Sequence, residues 1–411
     1  MRNTARQIEN QDSARIVGHV QLENKSEPAV RKSGNAESEA EEQFYSILAN
    51  PSLSTERFQR ELERVLAEMD ELQSGNRWED MIALFYPVAE KLPELVETGL
   101  DSPVRLKVGF ALCRARRHEE AIACILDVVR CESNHVMANY SLANWEKQSP
   151  EEQMTRHQQR PKYIKSLYHL ASCLLQLDLP RRSLKILEKM MKLDQDRNHM
   201  HPVFKHFAMG KVFFALGRPK EAVDHLETAA HRADNGQATD FIWELAARCA
   251  LDLGVPDRAA GYIIRIPQSA RRPYVRWTES DVLVAQGRKT EAVRILTHAA
   301  ERDRRGRHKA LLRLARIHLT DGEAGKALAL AKQAADFCRE TFGNEAHEAV
   351  FWQAACLYRL DRHQEALSMV RELEQSNFRY PHFSRLAAMV RDAVSGNSGR
   401  ARDKVPFTLI K

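Results

Sequence analysis

An all-α fold of about eight stacked helical pairs is predicted by three observations. Apolar residues recur at i, i+3, i+4 and i+7 in segments of roughly a dozen residues, the spacing that gives a helix one buried face. Short breaker clusters that resemble one another separate these segments: LDLPRRSLKIL (177–187), LGRPKEAVDHL (216–226), LGVPDRAAGYI (253–263), QGRKTEAVRIL (286–296), DGEAGKALALA (321–331) and LDRHQEALSMV (360–370). Finally, 17 Gly and 15 Pro in 411 residues are too few for a turn-dense all-β chain.

Taken in order, residues 1–42 are polar and charged with few aromatics. They bury too little apolar surface to offset the entropy of ordering, and read as a disordered tail. Within it, Arg15–Leu22 alternates polar and apolar residues as a docking strand would. The helical array is expected over 43–393, with an added helix and loop at 136–163, and a second tail over 394–411 ends in VPFTLIK. In each breaker, Gly or Asp closes one helix because it tolerates the left-handed conformation, and Pro falls early in the next, where its missing N–H costs little. In the insertion, Ser149-Pro150-Glu151-Glu152 reads as a capped helix start, Ser reaching forward and Glu reaching back.

The repeats share small residues twelve apart. Gly109, Ala171, Gly210, Ala247, Ser280, Ala315 and Ala354 precede Ala121, Ser183, Ala222, Ala259, Ala292, Ala327 and Ala366, and an earlier pair places Met69 before Met81. The pattern resembles the tetratricopeptide repeat family, a 34-residue helix–turn–helix with small residues at positions 8 and 20. Ala229, Ala299 and Ala334 stand at position 27, Trp243 at position 4 and Pro93 at the closing proline. Successive anchors lie 40, 62, 39, 37, 33, 35 and 39 residues apart, so the helices or loops vary in length. The resemblance covers Leu62 to Tyr380 and implies a right-handed superhelical solenoid.

Chemistry is hard to place on this chain. Phosphate-binding glycine loops, H-E-x-x-H and G-x-S-x-G are absent, so the expectation is no enzyme and no cofactor. His199, His201 and His206 cluster around Pro202, which prevents the helical i, i+4 pairing a metal needs, so no metal site is expected. The seven cysteines (113, 124, 131, 173, 249, 338 and 356) are odd in number and lack a C-x-x-C, and read as reduced, buried thiols. The N-terminus has no apolar signal core and no stretch is long enough to span a membrane, so a cytoplasmic address is expected.

The resemblance implies that one face of each first helix lines a groove for peptides. Carried over, that face holds Phe110, Arg114, Lys165, Tyr168, Phe204, Phe207, Lys211, Phe214, Phe241, Arg248, Tyr274, Trp277, Lys309, Arg316, Phe351, Tyr358 and Arg359. This mixture of aromatic and basic residues, with Glu244, Asp252, Asp281 and Glu348 as its few acids, suits peptide segments with acidic and apolar side chains. The family's chaperone-tail receptors use Asn at position 9, which no repeat here carries, so that role is not expected.

Net charge is +6, too mild for a dedicated nucleic-acid binder, but it is uneven. From 256 to 320, fifteen Lys or Arg face six Asp or Glu, peaking at Arg302, Arg304, Arg305 and Arg307, which could meet phosphate or an acidic partner. The function expected is a non-catalytic protein–protein scaffold or adaptor. A helical-repeat protein associated with RNA or DNA is the alternative, and a regulatory subunit of a multi-chain enzyme or of a secretion or assembly complex is a third reading.

Overall fold

The computed structural model describes residues 55–85, 101–138, 147–158, 160–343, 346–376, 378, 380 and 382–396. The whole tail expected over 1–42, with its run Arg15–Leu22, and also Pro93 and the terminal VPFTLIK lie outside them. The described residues contain eighteen α-helices, one 3-10 turn and no strand. None of these helices is long and apolar enough to cross a membrane.

They fall into two compact units, divided between His201 and Pro202. The first holds α1 (Thr55–Ser74), α2 (Trp78–Ala83), α3 (Asp101–Arg114), α4 (His118–Ala138), α5 (Pro150–Gln158), α6 (Pro161–Gln176) and α7 (Pro180–Leu193). The second holds α8 (Pro202–Ala215), α9 (Pro219–His231), α10 (Asp240–Asp252), α11 (Pro256–Ile264), α12 (Pro273–Ala285), α13 (Lys289–Arg302), α14 (Arg307–Thr320), α15 (Ala324–Phe342), α16 (His347–Arg359), α17 (His363–Gln375) and α18 (Phe383–Val394). Within the second unit each helix packs on its neighbour in sequence, and α8, α10, α12, α14 and α16 also pack on one another in turn. Contacts are therefore between near neighbours, as in a repeat array.

One turn geometry recurs. Asn76, Arg116, Asp178, Gly217, Gly254, Gly287, Gly322 and Asp361 all have positive φ, and each stands five residues before a position-20 anchor. The N–H of the next residue then donates to the carbonyl five residues back, for example Arg218 N to Phe213 O at 2.9 Å and Arg288 N to Leu283 O at 2.8 Å. That is the Schellman closure of the first helix, and the same residue is the N-cap of the second. Proline then opens the second helix at Pro180, Pro219 and Pro256.

The close crossing sits where the small residues are. Every anchor from Met69 and Met81 to Ala354 and Ala366 is buried. A Cβ on Gly109 would lie 2.6 Å from Ile125 Cγ1, and one on Gly210 would lie 2.7 Å from Leu226 Cγ. The first pair departs from the rule, since Met69 and Met81 fill the crossing with flexible side chains that leave no exposed surface.

The inserted helix is α5. Ser149 Oγ accepts from the Glu152 N–H at 3.2 Å, and the Ser149 N–H donates to Glu152 Oε2 at 2.7 Å, a capping box. The cysteine expectation needs correction: Cys113 of α3 and Cys173 of α6 are paired in a disulfide, their Cα atoms 6.4 Å apart. Sequence spacing concealed the pair, because sixty residues separate them, among which two helices are described. Cys124, Cys249 and Cys356 are free and buried, and burial pushes each thiol up to about 12, so none is a nucleophile at neutral pH.

Candidate functional site

The residues nominated for the inner face divide into three sets. In the first unit, Phe110 meets Trp78 edge-on at 5.6 Å and His169 at 5.3 Å, while the Arg114 guanidinium lies 5.3 Å from the Trp78 ring. Tyr168 also packs on His169, at 5.4 Å. Burial, aided by Lys165, holds His169 down to about 4, so it is a neutral ring in an aromatic cluster. Lys165 itself is exposed.

The second set lies on α8 and α10. Phe207 and Phe241 pack edge to face at 4.6 Å, and Phe204 beside them is 39% exposed. Lys211, one turn after Phe207, lies 5.9 Å from that ring, and Arg248 lies 4.8 Å from the Phe214 ring. Burial lowers the Lys211 ammonium, and among the described residues no ion pair is formed by Lys211 or Arg248. Arg248 is nevertheless close enough to Glu244 and Asp252 to favour their ionised forms, against the desolvation that raises both.

Acids occupy much of the third set, from α10 to α16, and here the structure differs from a uniformly basic face. The Tyr274 hydroxyl donates to Asp240 at the start of α10, and Thr278 donates to Glu244. Asp281 accepts from Arg313 at 3.1 Å and from Arg316. Glu348 accepts from Lys309 at 2.6 Å and from the Tyr380 hydroxyl at 3.2 Å. Two nominated cations, Lys309 and Arg316, are thus neutralised by acids on adjacent first helices. Phe351 is 1% exposed, packed against Tyr380 at 4.7 Å and near Phe378, so it is a core residue and not a surface one. Tyr358 is half-buried against His363, and Arg359 is exposed. Each polar contact joins residues 32 to 39 positions apart, close to one repeat, and that register was the sequence signal for it.

The arginine loop lies elsewhere, between α13 and α14. Asp303 Oδ1 accepts from the N–H groups of Arg305 at 3.0 Å and Gly306 at 2.8 Å. Gly306 is buried on Trp277, where a Cβ would approach the indole to 2.3 Å. Trp277 therefore supports this loop, with Arg313 5.6 Å from its ring. Among the described residues no three His, Cys, Asp or Glu side chains converge as metal ligands.

Helical pairs with small-residue crossings and one recurrent turn define a helical-repeat protein. Residues 278–340, from α12 through most of α15, match the family model described as tetratricopeptide repeat. Over these residues the chain carries tetratricopeptide repeats, and helical repeats of this kind mediate protein–protein interaction in general. No curated protein sequence matches it. Among solved structures it is similar to YrrB, a tetratricopeptide protein with an unusual peptide-binding site, at 20% identity and TM-score 0.31, covering 43% of this chain and 87% of that one. It is also similar to PilW, a type IV pilus biogenesis factor, at 14% identity and TM-score 0.41, covering 54% and 97%. PilF of Pseudomonas aeruginosa matches at 14% identity and TM-score 0.38, covering 55% and 96%. At such scores these likenesses carry no functional inference.

Proposed function

We propose that the chain is a non-catalytic scaffold or adaptor that holds peptide segments with acidic and apolar side chains against the face of α8 and α10. The observation that carries this reading is the strip of Phe204, Phe207, Phe214 and Phe241 with Lys211 and Arg248 among them, the two cations forming no ion pair among the described residues. Aromatic rings give contact area at low entropic cost, and a cation over a ring retains its attraction for a carboxylate. Asp281 and Glu348 neutralise the face from α12 to α16, which directs an acidic segment to α8 and α10 instead. The cytoplasmic setting expected from the sequence is part of this reading.

A displayed library of random peptides, selected on the wild-type chain and counter-selected on a Lys211→Glu/Arg248→Glu variant, tests it. Acidic–apolar peptides should be enriched on the wild type, and the variant should bind them at least tenfold more weakly. Peptides that bind both proteins equally would place the site elsewhere. A second consequence concerns pH. Burial lowers the Lys211 ammonium, so binding of an acidic peptide should begin to weaken, as pH rises, earlier than the ordinary lysine value of 10.5 predicts.

A further inference from the structure

We propose that the loop between α13 and α14, with the aromatic end of α15, is a binding site for single-stranded nucleic acid. Arg302, Arg304, Arg305 and Arg307 are all exposed within six residues, and no described carboxylate forms an ion pair with any of them. The acid inside the loop does not oppose them. Asp303 turns inward, one oxygen accepting from two backbone N–H groups and the other buried. With Gly306 seated on Trp277, the loop is held before any ligand arrives, so the entropy of ordering it is already met.

An aromatic surface adjoins the charge. Phe342 is 44% exposed and packs edge-on against His308 at 5.8 Å and Phe337 at 6.0 Å. His308 stacks on Phe337 at 6.1 Å, and the Arg307 guanidinium lies 6.0 Å from the same ring, so Arg307 links the arginine run to these rings. Burial and Lys309 lower His308, which presents a neutral ring at pH 7. Of the acids on the flanking helices, Asp336 is paired with Arg339, and Glu301 and Glu340 remain exposed against the four arginines. A purely acidic polypeptide would use the charge and leave the exposed Phe342 ring without a role, and four guanidinium groups within six residues outnumber the two cations that the α8–α10 face offers an acidic–apolar peptide. A single strand uses both, phosphates on the guanidinium groups and bases stacked on the rings. The site is independent of the α8–α10 face.

Fluorescence anisotropy with the full chain and a fluorescein-labelled dodecauridylate, matched by a dodecathymidylate, tests the proposal. Affinity should fall with salt at a log–log slope of about −0.7 per phosphate neutralised, so near −3 for four arginines. Arg304→Glu/Arg305→Glu should weaken binding more than tenfold and roughly halve the slope. Phe342→Ala should cost about tenfold and leave the slope unchanged. Lys211→Glu/Arg248→Glu should leave nucleic-acid affinity unaltered. Thermal melts matching wild type would exclude misfolding as the cause. The preference between the two oligonucleotides assigns RNA or DNA. Absence of binding at low salt, or affinity unaffected by the arginine variant, would overturn the site. So would an inert Phe342→Ala combined with equal competition by polyglutamate, which would assign the loop to an acidic protein.

Discussion

Arg116 holds a positive φ of 66° at a turn where four equivalent positions carry glycine. A side chain in the left-handed region costs about 1–2 kcal/mol, partly offset because glycine loses more freedom on folding. Arg116→Gly should therefore stabilise the protein by about 0.5–1 kcal/mol in urea unfolding, and a loss of stability would mean the side chain has a packing role. Glycines inside helices behave oppositely, according to their neighbours. At Gly210 an added Cβ lies 2.7 Å from Leu226 Cγ and 3.3 Å from the Ala222 carbonyl, whereas at Gly261 nothing lies within 4 Å. Gly210→Ala should destabilise by about 1–2 kcal/mol despite better helix propensity, and Gly261→Ala should stabilise by about 0.5–1 kcal/mol. Equal effects would show that the crossing yields more readily than its contacts suggest.

At the scale of elements, α8 and α9 are joined by a histidine pair. His206 and His225 bring their Nδ1 atoms to 3.0 Å, one donating to the other, and His225 stacks on Phe213 at 5.3 Å. Burial, His225, Lys205 and Arg232 push His206 down to about 4, and burial lowers His225 against the pull of Asp224. Both pKa values are depressed on folding, so the unfolded chain binds more protons below the ordinary value of 6.5. Stability from this pair is fully present above pH 6.5 and is lost as pH falls toward 4. Melts at pH 7.5 and 5 should show this loss, and a His206→Gln/His225→Gln variant should show less of it. An unchanged pH dependence would assign the effect to other groups, such as His169 of α6.

The pair turns carry a second regularity. Arg77, Arg117, Arg218, Arg288 and Arg362 each pair with the acid three residues on, and at the α14–α15 turn the charges are exchanged, Lys326 pairing with Glu323. The exchange preserves the pair, so complementarity rather than one residue type is what the turn requires. Being exposed, each pair is screened by solvent and adds little to stability.

In the whole molecule, contacts between near neighbours predict a local response to damage. Hydrogen exchange of Gly210→Ala should rise in α8 and α9, less in α10, and stay at the wild-type level in α16 to α18. A uniform rise would show that the second unit unfolds as one cooperative block. The same arrangement separates the two proposed surfaces. The proposed peptide face uses side chains on α8 and α10 and the proposed nucleic-acid site a loop after α13, so substitutions in one should leave binding at the other unaltered.

Helix positions, the Ser149 cap and the small-residue crossings were legible in the sequence because each depends on residues within one or two turns of chain, where periodicity and steric size decide. Arg116 and Asn76 were not, since a non-glycine in the left-handed region is fixed by the packing on either side of the turn. The candidate face was legible only as a set of positions. Which of its cations remain unpaired was decided by tertiary structure, because Asp281 and Glu348 reach Arg316 and Lys309 across adjacent repeats. The burial of Phe351 and the pairing of Cys113 with Cys173 were decided there too. The sequence by itself determined the repeat, through local periodicity. Tertiary packing decided which charges and rings are left for a partner, because that depends on which side chains meet across the repeats.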